Sequence, residues 1–348
     1  MKMPRLIEVA RRLSACLALA CALTSCGSAP AHQDAAQPGA VAVDPLPSWN
    51  DTAQKKAIVD FVRKTTTAGS ADFVPPSERI AVFDDDGTLW IEQPAYVQFV
   101  FALQRLQALA PQHPEWRTQE PYRSALAGNM TGVFFKNGEA NAKKLIMATH
   151  AGMSSDQFAA QARDWLASAR DKRFGRTYPE LVYQPMLEVL SYMRANGFKT
   201  YIVSGGGVEF MRGFADRAYG IPPEQVIGSS IKYQYTEVAG QPTLMRIGKV
   251  ENVDDGPGKP ATIQRVIGRR PVAAFGNSDG DLQMLRWTTS GTGARLGVII
   301  HHTDAAREYA YDRTSKVGKL DKALDAASGN GWIVVDMKQD WNRMFPGN

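Results

Sequence analysis

Five short apolar runs constrain this chain most: residues 79–83, 198–203, 271–275, 296–300 and 332–335. They are too short for helices and have the continuous apolar character of strands buried on both faces. The segment before the second run carries Met186, Val189, Leu190 and Met193 on one helical face, with Pro185 suited to its first turn and Gly197 to its end. Further helical segments start near Pro260, Asp281 and Asp304. Strands alternating with helices predict an open parallel α/β sheet, whose ligands gather at the carboxyl ends of the strands.

The first run ends in Asp84-Asp85-Asp86-Gly87-Thr88-Leu89. Successive residues of an extended chain point to opposite sides, so Asp84 and Asp86 address one point while Asp85 faces away. Two carboxylates held that close destabilise each other unless a cation or a shared proton relieves them. Such a pair supplies a nucleophile and an acid and base with a divalent ion between them, although Asp and Gly also make ordinary turns. A calcium loop starting at Asp84 is excluded, because Leu89 stands where that loop needs its sixth-position glycine.

The second run leads into Ser204-Gly205-Gly206-Gly207 and a helical stretch from Val208. A hydroxyl and backbone N–H groups at a helix N-terminus suit an anion, and the glycines let a phosphate come close. Gly256-Pro257-Gly258-Lys259-Pro260 places one lysine before a helix without the spacing of a P-loop. The third run leads into Gly276-Asn277-Ser278-Asp279-Gly280-Asp281, oxygen-bearing side chains that suit a hard cation, or equally a turn and helix cap.

These elements fall at successive strand ends in one order: Asp84 and Asp86, then Ser204, then Lys259, then 277–281. In that order the chain resembles the phosphatase branch of the haloacid dehalogenase superfamily over at least residues 80–285, and its Ser-Gly-Gly start of the second motif resembles phosphoserine phosphatase relatives. The resemblance implies a Rossmann-like open parallel sheet with an inserted helical cap domain, and Mg²⁺-dependent hydrolysis of a small phosphate monoester. It implies that Asp84 attacks phosphorus and becomes an aspartyl phosphate, while Asp86 protonates the leaving oxygen and then activates water. Ser204 is implied to hydrogen-bond the phosphoryl group and Lys259 to hold its charge, with Asp84, Asp86, Asn277 and Asp281 as metal ligands. True haloacid dehalogenases lack an Asp at the position of Asp86, so the branch favoured is the phosphatase. The chain departs from the pattern at Asn277, where relatives carry aspartate; Asp279 or Asp281 is then expected to supply the missing charge.

More than a hundred residues separate Asp86 from Ser204, too many for one crossover helix, so a separate unit is expected over 93–179, which the resemblance implies is a cap. Its helical stretches are 96–109 and 155–169. The catalytic core is then 48–92 with 180–348. Glu92 joins Gly205 and Gly206 as substrate-binding candidates; Arg123 and His150 also stand in reach of the cap or serve as ordinary surface and capping residues. A smaller insertion, 232–246, centres on Val238-Ala239-Gly240-Gln241, a hairpin turn.

The N-terminus carries an address. Lys2, Arg5, Arg11 and Arg12 precede an apolar run, 13–23, that is shorter than the roughly 20 residues a membrane span needs. It ends in Leu23-Thr24-Ser25-Cys26, which resembles the lipobox of bacterial lipoproteins. Residues 1–25 are therefore expected to be a signal peptide, with lipid on Cys26 and a flexible Ala, Pro and Gly-rich tether to residue 47. The folded part is then expected on the bacterial cell envelope, facing the periplasm or the exterior. Losing the signal takes +3 from the formal charge of +5, which leaves little to suggest nucleic acid as a partner. Of three cysteines, only Cys26 remains, so no disulfide framework is expected. The partners expected are a small phosphorylated substrate and the membrane, with no protein partner indicated. Two other activities fit the same motifs: a phosphate-ligand binding lipoprotein whose catalysis has decayed at Asn277, and phosphoryl transfer to an alcohol acceptor.

Overall fold

A computed structural model describes residues 43–129, 133 and 138–347. The expected signal peptide, Cys26 and most of the tether lie outside the described residues. The apolar runs become strands β1 (Ile80–Phe83), β2 (Lys199–Gly207), β5 (Ala273–Gly276), β6 (Leu296–Thr303) and β8 (Ile333–Asp336). Joined by β3 (Val226–Val238), β4 (Gln241–Asn252) and β7 (Ala310–Tyr311), they form one sheet in the order β4-β3-β2-β1-β5-β6-β7, with β8 also paired to β6. All pairings are parallel except those of β4 and β7. In register, Phe83 lies between Ile202 of β2 and Phe275 of β5, which brings the three motif-bearing strand ends side by side.

The period-two alternation of β1 divides the core. Ala81 and Phe83 face one layer with Ile58 and Val62 of the helix Ala53–Thr66 and Val189, Leu190 and Met193 of the helix Gln184–Ala195. Ile80 and Val82 face the other with Ile263, Met284 and Leu285 from the helices Gly258–Val266 and Leu282–Thr289. β1 is buried on both faces because helices cover both, which is why it reads as an unbroken apolar run.

Between β1 and β2 the chain is helical, as expected, but its packing is divided. The helices Val97–Leu109, Tyr122–Leu126 and Gly138–His150 gather around a core of their own that includes Phe99, Leu106, Trp116 and Leu145. The helix Ser155–Ser168, opened by a capping box of Ser154 and Gln157, buries Phe158, Ala162 and Leu166 in the main core. Among the described residues no helix is long and apolar enough to cross a membrane.

Several boundaries differ from the sequence expectation. Leu46 is buried and Asp44 pairs with Lys55, so the last residues of the expected tether pack on the fold. The hairpin at Ala239-Gly240 is present, with positive φ of 50° and 76° at the two turn residues, but its strands run on to form β3 and β4. No helix starts at Asp304: its Oδ1 accepts from the N–H groups of Ala306 and Arg307, closing a single turn before β7.

Candidate active site

The strand ends meet in a cavity of about 380 Å³ whose walls include Asp84, Asp86, Glu92, Ser204, Gly205, Gly206 and Lys259. Asp84 and Asp86 share this wall. Asp85 points away, its Oδ1 accepting from the Tyr219 hydroxyl at 2.9 Å, as strand alternation requires.

Lys259 organises the floor. The residue is 1% exposed, and its Nζ lies 2.8 Å from Asp84 Oδ1 and 2.6 Å from Asp281 Oδ1. The other oxygen of Asp281 accepts from the N–H groups of Asn277 and Ser278 at 3.0 and 3.1 Å. Asp281 therefore holds the lysine and the loop, and both of its oxygens are engaged. Asp279 faces elsewhere, its Oδ1 accepting from Asp321 and Ala323 N–H at the start of the helix Lys322–Gly329. The fold thus sets Asp281 beside Lys259 and the Asn277 loop and turns Asp279 toward the next helix.

Asn277 is gripped on both sides of its amide. Thr88 Oγ1 donates to its Oδ1 at 3.2 Å, and its Nδ2 donates to Glu92 Oε1 at 2.6 Å. The same Glu92 oxygen accepts from the Tyr311 hydroxyl at 2.7 Å. Glu92, expected among substrate contacts, is thus anchored on the core beside Asn277. Gly87 makes this packing possible: at φ +73° it occupies the left-handed region, and a Cβ there would lie 2.0 Å from Asn277 Nδ2. Its carbonyl accepts from His302 Nε2 at 2.7 Å.

The glycines after Ser204 are partly satisfied internally. Gly206 N–H donates to Ser204 Oγ at 3.1 Å, and Gly207 N–H to Gln98 Oε1 at 2.6 Å. Ser204 itself is buried beside the cavity. Of the other candidates, Arg123 pairs with Glu120 on the surface, and His150 is buried in a neighbouring cavity.

Burial dominates the electrostatics. It pushes Asp84 up to about 8, with Asp281 adding to the shift and Lys259 opposing it. It pushes Asp86 up to about 6 against the hydrogen bond from Trp90 Nε1, and raises Glu92 well above the usual carboxylate range. Lys259 is raised by its two carboxylates despite burial, so it stays charged. The floor therefore holds more buried carboxylate than its single buried lysine neutralises, the donor chemistry of a hard-cation site. Among the described residues no three His, Cys, Asp or Glu side chains converge as a closed metal cage. An ion held by one or two carboxylates that keeps several waters fits this set; Mg²⁺ is such an ion.

A family model described as haloacid dehalogenase-like hydrolase matches residues 81–286, more than half of the chain and all four motifs. The chain belongs to that family. Among solved structures, this hydrolase is similar to a conserved protein of unknown function from Anaerococcus prevotii at 16% identity, covering 75% of this chain and 89% of that one with a TM-score of 0.53. A protein of unknown function from Bordetella pertussis shares 16% identity over 75% of this chain and 99% of its own, with a TM-score of 0.48. A probable phosphoserine phosphatase from Vibrio cholerae shares 16% over 75% and 68%, with a TM-score of 0.36. At these identities the first likeness is one of fold, and the other two carry no argument. The comparison with curated proteins gave no match.

Sequence reasoning missed several groups around the hydrolase site. Trp90, donating to Asp86 Oδ1 at 2.9 Å, follows the first motif closely enough to have been a candidate. Asp255 lines the cavity just ahead of Lys259. Tyr311 and His302 come from distant segments, and no local pattern marks them.

Proposed function

We propose that the chain is a Mg²⁺-dependent phosphomonoesterase working through an aspartyl phosphate on Asp84. The observation that carries this reading is Lys259 Nζ held 2.8 Å from Asp84 Oδ1 on the same cavity wall as Asp86. An Asp84 oxygen attacks phosphorus in line with the ester oxygen, and the P–O bond to the alcohol breaks. Asp86, with its proton affinity raised by burial, gives its proton to that oxygen. Asp86 then takes a proton from water as the water oxygen attacks phosphorus, releasing inorganic phosphate and restoring the Asp84 carboxylate. Ser204 Oγ and Lys259 Nζ bind the phosphoryl oxygens, whose charge otherwise repels the anionic nucleophile. Asp84, Asp86 and Asn277, with Asp281 as a second carboxylate, are the residues that would hold Mg²⁺, which would supply charge neutralisation for the transferred group. Glu92 accepts from the Asn277 amide and holds it in place beside the carboxylates. The Asp84, Lys259 and Asp281 array is intact, which favours an enzyme over a binding protein with decayed catalysis.

The envelope location remains part of this proposal, supported by the 1–26 pattern in the sequence. Labelled palmitate should enter the protein in bacteria and fail to enter Cys26→Ser; equal labelling of both would refute the anchor. For the chemistry, the protein lacking residues 1–26 should hydrolyse p-nitrophenyl phosphate with Mg²⁺ and lose that activity in Asp84→Asn. Full activity of that variant would sink the mechanism.

A further inference from the structure

A second cavity, of about 240 Å³, adjoins the catalytic one, and Gln98, Ile146, Gly205 and Val253 belong to the walls of both. Its lining is largely apolar, with Phe158, Phe210, Ile231 and Val250 added to Ile146 and Val253. The charges within it are matched. Arg246 and Glu209, both buried, form an ion pair; Arg246 also stacks over the Phe158 ring and donates to the His150 carbonyl at 2.8 Å. Lys143 stands at the exposed rim.

His150 is the polar group left over. Its ring is 1% exposed and packs against Phe101 and Phe158, with centroids 5.3 and 4.9 Å away. Thr149 Oγ1 sits 2.8 Å from His150 Nδ1 and gives its only proton to the Leu145 carbonyl, also at 2.8 Å. With the hydroxyl proton assigned to Leu145, the proton between Thr149 and His150 is assigned to Nδ1. Burial and the nearby Arg246 keep the ring neutral, so Nε2 is a bare acceptor, and no group among the described residues donates to it. A buried acceptor without a donor is unfavourable and is satisfied by a ligand that brings one.

We propose that this second cavity receives the leaving alcohol of the phosphate ester, and that the alcohol is neutral, with an apolar body of ring size and one hydroxyl, amine or amide N–H donated to His150 Nε2. The inference rests on the phosphomonoesterase reading of the adjoining site. It disfavours zwitterionic and polyhydroxylated leaving groups, because a charge or several hydroxyls set against Ile146, Phe158 and Val250 would lose water without gaining partners.

The test compares 4-(hydroxymethyl)phenyl phosphate with its methyl ether, which differ only in the donor, and with phosphoserine and glucose 6-phosphate, all on the purified protein with Mg²⁺. The hydroxymethyl ester should exceed the other three in kcat/KM by about tenfold or more. In His150→Phe the ratio between the hydroxymethyl ester and its ether should fall to about one, as expected when the acceptor of a donated hydrogen bond is removed. If that variant does not fold, the ratios in the unmodified protein decide. Binding of 4-(hydroxymethyl)phenol, followed by calorimetry, separates the two claims. Turnover with no preference for the donor and no binding of the phenol overturns this inference alone. Binding of the phenol without turnover of any ester supports the cavity and overturns the phosphatase reading. Neither binding nor turnover overturns both.

Discussion

Lys259 lies between two buried carboxylates, so its removal does more than lose a contact. Lys259→Met would leave Asp84 and Asp281 facing each other without a cation, at a cost of about 3–5 kcal/mol measured by urea unfolding. Phosphoryl transfer should vanish with it; a variant that unfolds like the unmodified protein would contradict the arrangement. Gly87→Ala tests the other tight point. Its Cβ would meet Asn277 Nδ2 at 2.0 Å in a left-handed conformation, so about 1–3 kcal/mol of stability and most activity should be lost. Much of this site was legible in the sequence, because Asp84, Asp86 and Ser204 sit where short apolar strands end and Lys259 follows a glycine turn at the start of a helix. The hydrogen bonds that decide between Asp279 and Asp281 were not. Both stand in one loop of turn-forming residues, and only the fold sends one to Lys259 and the other to a helix start. The partner that anchors Glu92 in the cavity wall was not legible either, since Tyr311 comes from a strand 219 residues away.

At the scale of elements, Asp279 joins the catalytic loop to the helix Lys322–Gly329 by capping it from outside. Asp279→Ala should therefore lower stability by about 1 kcal/mol while Mg²⁺ affinity, read by calorimetry, stays within a factor of about two. A large loss of Mg²⁺ binding in that variant would make Asp279 a ligand after all. In the centre of the sheet, Phe83 of β1 and Phe275 of β5 stack with ring centroids 4.4 Å apart directly beneath the site. Phe83→Ala should cost about 3–5 kcal/mol on denaturant unfolding. The central strands could be read from sequence because burial on both faces makes them continuously apolar. β3 could not, because Gly228, Ser229 and Ser230 interrupt its apolar character where it passes the glycines at the end of β2. The helix expected at Asp304 failed for a related reason: a good capping residue closes one turn whether or not a helix follows.

For the molecule as a whole, the raised carboxyls set a pH dependence. A carboxyl with a folded-state pKa above its unfolded value binds its proton more tightly when folded. Its stabilising effect is complete below the unfolded pKa and is lost as pH rises through the folded one. With Asp86 raised to about 6 and Asp84 to about 8, and Asp85 and Glu92 shifted in the same direction, the metal-free protein should melt at progressively lower temperature between about pH 4 and pH 8. Mg²⁺ should raise the melting temperature most at the upper end of that range; a flat profile, or one indifferent to Mg²⁺, would contradict the assigned charge imbalance. The most direct test of the central claim is covalent trapping with a ³²P-labelled monoester, quenched in acid. Label should be bound to the protein, be released by hydroxylamine as an acyl phosphate is, accumulate when Asp86→Asn slows hydrolysis, and be absent from Asp84→Asn. Label that persists in Asp84→Asn, or that resists hydroxylamine, would contradict Asp84 as the nucleophile.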